Sequence, residues 1–96
     1  MRLIISQAVL AKLASKHAVS RNEVEQCFEN REGRLLSDSR DEHKTDPPTL
    51  WFIAPTDRGR PLKIVYVQLG QDVFLKSAFE PVSEELRIYR KYGTCC

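Results

Sequence analysis

Two lysines and one carboxylate, Lys63, Lys76 and Glu80, stand out as side chains that alternation places on a common surface. They lie in the stretch PLKIVYVQLGQDVFLKSAFE (61–80), which reads as two strands reversing at Gly70-Gln71, a glycine-containing polar turn. With Leu69 facing Asp72, the pairing predicts Leu62 opposite Phe79, Ile64 opposite Ser77, Tyr66 opposite Leu75 and Gln68 opposite Val73 on a mostly apolar core face. The other face pairs Lys63 with Ala78, Val65 with Lys76 and Val67 with Phe74, and ends at Glu80. A slip of one residue would exchange the two faces, so matching parity on both strands supports this register. Diagonal neighbours on a hairpin lie roughly 7–8 Å apart at the backbone, within reach of long side chains. A cation beside a carboxylate is equipped for charge stabilisation and proton transfer. The same residues equally form a cross-strand ion pair on a solvated face. His43 sits in a charged loop, where an imidazole is either a proton carrier or simply hydrated.

The elements needed to hold this surface read as one α+β domain spanning residues 1–96, with residues 93–96 expected to fray. Arg2 to Ile5 forms a first strand. Ser6 is the N-cap of a helix to about Lys16, with Val9, Leu10 and Leu13 as its buried stripe. His17, four residues after Leu13, reads as a half-buried helix-end residue, not as a ligand. Ser20 with Glu23 is a capping box, and Val19 with Val24 a hydrophobic staple, for a second helix that buries Val24, Cys27 and Phe28 and closes over Asn30 to Gly33. Arg34 to Ser37 is a brief strand. Asp38 to Pro48 is charged, lacks apolar residues and ends in two prolines, the composition of a long loop. Thr49 to Ala54 (TLWFIA) is a buried strand, Pro55 to Arg60 a turn, and Ser83 the N-cap of a final helix that carries Glu84 and Glu85 early and Arg87, Arg90 and Lys91 late.

Composition narrows the function classes. A chain of 96 residues that is 42% hydrophobic and 29% charged has the make-up of one ordinary globular domain. No run of about 18 apolar residues exists, so no membrane partner is expected. The amino terminus is too interrupted by Gln7 and Lys12 for a signal peptide, and three cysteines, with Cys95 and Cys96 adjacent, suit reduced thiols in a cytoplasmic setting. A net charge of +2 permits nucleic-acid binding without arguing for it. No metal site or organic cofactor is indicated.

KHAVSRNEVEQCF (16–28), the Asp-rich loop with His43, TDRGRPLKIVY (56–66) and KSAFEPVSEELRIY (76–89) together resemble BrnT-type toxins, the ribonuclease halves of bacterial toxin–antitoxin pairs. The likeness covers most of the chain in order. It implies a small RelE-like fold with two N-terminal helices, a mainly antiparallel sheet of about four strands and a C-terminal helix. It also implies a metal-independent endoribonuclease that binds RNA on the open face of the sheet, an antitoxin protein as partner, and possible homodimers. Lys63, Lys76, Glu80 and His43 are then the candidate catalytic residues. Lys16, Arg58 and Arg60 are candidate phosphate-binding residues, and Trp51 a base platform if it points outward. The pattern departs where family members carry arginines around the Ser-Ala pair of the last strand: Phe74 and Phe79 flank Ser77-Ala78 here, with Lys76 as the nearby cation. A non-catalytic RNA- or protein-binding module on the same fold is the alternative. The chain further resembles short bacterial proteins labelled ADP-ribosyl-(dinitrogen reductase) hydrolase, which implies cleavage of ADP-ribose linkages as a third reading.

Overall fold

The chain forms a small α+β domain in which one mixed sheet carries helices on both of its faces. The structure is a computed structural model, described here for residues 2–31, 36–37 and 49–92. Within these residues the strands are β1 (Arg2–Ile4), β2 (Leu36–Ser37), β3 (Thr49–Pro55), β4 (Pro61–Leu69) and β5 (Asp72–Phe79), in the spatial order β1-β5-β4-β3-β2. The β5-β4-β3-β2 run is antiparallel, whereas β1 pairs parallel to β5, Leu3 opposite Val73. The sheet therefore has five strands where about four were expected. The strand at Arg2 was read from the sequence, but its place as a parallel edge joins residues some seventy apart, and that pairing leaves no local signal.

Helix α1 (Gln7–Lys12) starts where Ser6 accepts a hydrogen bond from the Val9 amide at 3.2 Å. Its continuation, Leu13–His17, is a wider π turn. The turn ends because Ala18 takes a left-handed conformation (φ 52°), unusual for a residue with a Cβ. This geometry lets the Leu13 carbonyl accept from both Ala18 and Val19, and buries Leu13 and Val19 together. Leu10, assigned to the buried stripe, instead lies 40% exposed, because only Val9 and Leu13 turn inward.

Helix α2 (Arg21–Glu29) has both bonds of the expected capping box: Ser20 Oγ accepts from the Glu23 amide and Glu23 Oε1 from the Ser20 amide. Val19 and Val24 are buried on either side of that cap. Val24 and Cys27 are fully covered, and Phe28 packs edge-on against Phe52 and Tyr66. Together α1 and α2 cover the face that carries Phe52, Leu62, Ile64 and Tyr66.

The β4–β5 hairpin turns at Gly70-Gln71, with Leu69 opposite Asp72 as expected and Gly70 at φ +61°, a conformation that favours glycine. Four pairs follow the predicted register, up to Tyr66–Leu75. A bulge at Lys76 then adds one residue to β5, so that Val65 faces Ser77, Ile64 faces Ala78 and Lys63 faces Phe79. This corrects the predicted pairing. Beyond the bulge Ala78 turns into the core and is fully buried, while Ser77 and Phe79 pass to the other face.

That other face is not left open to solvent along its length. Helix α3 (Ser83–Tyr92) lies against it, with Tyr89 5% exposed and its ring 5.7 Å from that of Trp51. Ser83 is the first helical residue and not the cap. The Val82 carbonyl accepts the Leu86 amide, and the Glu85 carboxylate turns back to accept the Val82 amide at 3.0 Å. Among the described residues no helix is long and apolar enough to cross a membrane.

Candidate functional site

The predicted site residues separate into a paired set and an unpaired set. Lys63 projects from β4 toward α3, where its Nζ lies 2.6 Å from Glu85 Oε2 and 4.5 Å from the centre of the Trp51 ring. Its side chain is 17% exposed. It therefore meets Glu85 instead of converging with Lys76 and Glu80, because the bulge takes Lys76 out of the diagonal position. Glu80 turns to Arg60, with 3.5 Å between Oε1 and Nε. Trp51 is half-buried between Tyr89 and the Lys63 amine, so the expected base platform has its ring engaged within the protein. His43 lies outside the described residues.

Arg60, read from the sequence as a phosphate holder, is a tie between elements. Its guanidinium donates to the carbonyls of His17 (2.9 Å) and Ala18 (2.8 Å), and to Glu23 Oε2 (3.0 Å). The two carbonyls belong to the end of the π turn, where no further helical N–H can reach them. The β3–β4 turn presents Arg60 to them. Gly59 sits at φ +86°, and the amides of Gly59 and Arg60 bond to the Thr56 carbonyl and hydroxyl. Burial pushes the Glu23 carboxyl up, but the Ser20 amide and the bond and charge of Arg60 outweigh it and hold its pKa below the usual carboxylate value. Asn30 closes the same corner by donating to the Pro55 carbonyl and to Asp57.

Lys16, Arg58 and Lys76 are different. All three are exposed, and among the described residues none has a carboxylate partner. Lys16 precedes His17, Arg58 precedes Arg60 by two, and Lys76 precedes Phe79 by three, and His17 meets Arg60 through its carbonyl and Phe79 through its ring. The His17 ring stands 5.6 Å from that of Phe79, which also lies 5.7 Å from the Lys63 amine. His17 is thus half-buried at the junction of the π turn and β5, next to exposed cations and beside the sheet face. The sequence signal for it was slight, a histidine four residues after a buried leucine at a helix end.

Cys27 is no candidate for thiol chemistry. It is fully covered, donates to the Ala54 carbonyl at 3.4 Å, and burial pushes its thiol up to about 12. A cleft of ≈ 690 Å³ does exist, but at the Gly70 end of the hairpin and away from these residues.

No family model, no curated protein and no solved structure matches this chain.

Proposed function

We propose that this chain is an RNA-binding domain with a BrnT-like, RelE-like architecture, holding single-stranded RNA by its phosphates at Lys16, Arg58 and Lys76. One observation carries the reading: these three cations stay exposed without a carboxylate partner among the described residues, while Lys63 and Arg60 are each spent on a carboxylate. A lysine that neutralises a phosphate releases the counterions condensed on the RNA, which is the main source of sequence-independent affinity. The half-exposed sheet face, with Val65, Val67 and Phe74, supplies apolar surface and an aromatic ring for base contact. Binding of this kind is weak for each contact and strongly salt-dependent. The expected measurement is the affinity for a labelled single-stranded RNA as a function of salt. Lys16→Ala and Lys76→Ala should each weaken binding several-fold and flatten the log–log salt slope by about 0.7. Unchanged slopes in both variants would remove the assignment.

A second reading, the toxin-like endoribonuclease, is favoured by His17 beside Phe79, the ring that the Lys63 amine also meets. An imidazole next to a phosphate-holding surface can pass a proton between a ribose 2′-hydroxyl and the leaving oxygen. Induced expression in a bacterial host, with growth and total RNA followed together, separates the two. Growth arrest with cleaved RNA, abolished by His17→Ala but retained in Glu80→Ala, would establish cleavage centred on His17. Normal growth with intact RNA would leave the binding domain. If arrest occurs, relief by a co-expressed neighbouring protein would identify the antitoxin that the likeness implies.

A further inference from the structure

The cleft at the Gly70 end of the hairpin lies between α2 and the β1–β5–β4 part of the sheet, and the function proposed above makes no use of it. Its volume of ≈ 690 Å³ falls within the range of small-molecule sites, roughly 300–1,000 Å³. Of its charged groups, some are already committed. Arg2 pairs with Asp72 at 3.3 Å, and Arg21 donates to the Leu3 carbonyl (2.8 Å) and to Glu25 (3.0 Å), so these arginines brace the wall. Others are not. Arg31 has its guanidinium carbon 5.8 Å from the centre of the Phe52 ring and, among the described residues, no ion pair. Glu29 likewise has no cation partner among them.

Tyr66 is the second, independent observation. The residue is only 2% exposed, yet it lines the cleft, and no described residue donates to or accepts from its hydroxyl. No fully buried side-chain oxygen or nitrogen is left without a partner among the described residues. The unbonded phenol oxygen is therefore the part of Tyr66 that the cleft wets. A phenol on an otherwise buried ring that meets only the water of a cleft is placed to bond whatever molecule enters it. Burial raises its pKa, with Arg31 partly offsetting the effect, so it stays a hydrogen-bond donor at neutral pH. Phe28 supplies the ring wall beside it.

We infer that this cleft is a binding site for a nucleoside monophosphate, with the phosphate on Arg31 and the Tyr66 hydroxyl, the base along Phe28, and ribose or exocyclic N–H and O–H donors directed to Glu29. The free guanidinium and the phenol donor both ask for an anion, and a fork of N–H groups suits phosphate oxygens. The uncommitted carboxylate asks for donors on the same ligand. The apolar ring wall and the volume ask for a body larger than inorganic phosphate. A nucleotide meets all four requirements in one molecule.

The test is titration of the intact chain with AMP, and separately with inorganic phosphate, at low salt, followed by calorimetry and by amide NMR shifts. Saturable one-to-one binding of AMP is expected, with shifts centred on Phe28, Arg31 and Tyr66. Arg31→Ala or Arg31→Gln, at an exposed position, should weaken it about tenfold or more, and Tyr66→Phe, which keeps the ring packed, by several-fold. Lys16→Ala with Lys76→Ala should leave AMP affinity unchanged, which separates this site from the RNA surface. The inference is overturned if AMP does not saturate, if the lysine changes abolish binding while Arg31→Ala does not, or if inorganic phosphate binds as tightly as AMP.

Discussion

The two ends of the β4–β5 hairpin use their charges in opposite ways. At the Pro61–Phe79 end, Arg60 and Lys63 are each matched to carboxylates from another element, Glu23 and Glu80 for the first and Glu85 for the second. At the Gly70 end, Arg31, Glu29 and the Tyr66 hydroxyl lie around a cleft with no mutual pairing. The contrast teaches that a conspicuous cation is a poor guide to a ligand site until its partners are known. Of the cations picked out from the sequence, Arg60 and Lys63 are fasteners while Lys16, Arg58 and Lys76 stay uncommitted among the described residues, as do Arg31 and Glu29, to which no motif drew attention.

Breaking the fastened end should have the largest effect on stability. Arg60→Ala removes four charge-assisted contacts and strands the carbonyls of His17 and Ala18, and should cost about 2–3 kcal/mol. Urea unfolding checks it as a lower midpoint with an unchanged slope. Arg60→Lys should recover only part of the loss, since an ammonium cannot fork to two carbonyls and a carboxylate. A pH signature accompanies it. Because the Glu23 pKa is lowered on folding, its contribution is complete above the ordinary value of 4.5 and is lost as pH falls through the folded value. The wild type should therefore lose more stability on acidification than Arg60→Ala does.

Lys63→Met is a milder break. It deletes the ion pair with Glu85 and the contact over Trp51 but keeps the methylene packing, and should cost about 1–2 kcal/mol with a change in Trp51 fluorescence. A fluorescence spectrum identical to wild type would show that α3 is held on the sheet by other means.

The smallest change should go the other way. Ala18→Gly relieves a left-handed residue that carries a Cβ, and should stabilise the fold by about 1 kcal/mol or slightly less, once the greater freedom of glycine in the unfolded chain is counted. A lowered unfolding midpoint would mean that Arg60 and the buried Leu13–Val19 pair already hold this conformation without cost.

Much of the local structure was legible because its causes are local. The capping box at Ser20 and Glu23, the staple at Val19 and Val24, the reversal at Gly70 and the strand from Thr49 each depend on neighbours a few residues away. The features that decide the site are not local. The bulge at Lys76 arises where β5 leaves β1 and meets the π turn, and alternation alone cannot show an extra residue. The partners of Lys63 and Arg60 come from helices 22 and 37 residues away in the chain. His17 was placed correctly as a half-buried helix-end residue, but its nearness to Phe79 depends on that same bulge.

The parallel edge strand has a consequence for how the molecule comes to exist. Arg2–Ile4 leaves the ribosome before the rest of the sheet, yet its place beside Asp72–Phe74 is built only after roughly seventy further residues have been made. Strand β1 is thus seated only after the strand that follows it last in the sheet. Until then Leu3 has no sheet to cover it, and the outer edge of β5 is free to take up a strand from another molecule. Slow synthesis through the hairpin would lengthen that interval, while helices α1 and α2, made of short-range contacts, have no reason to wait.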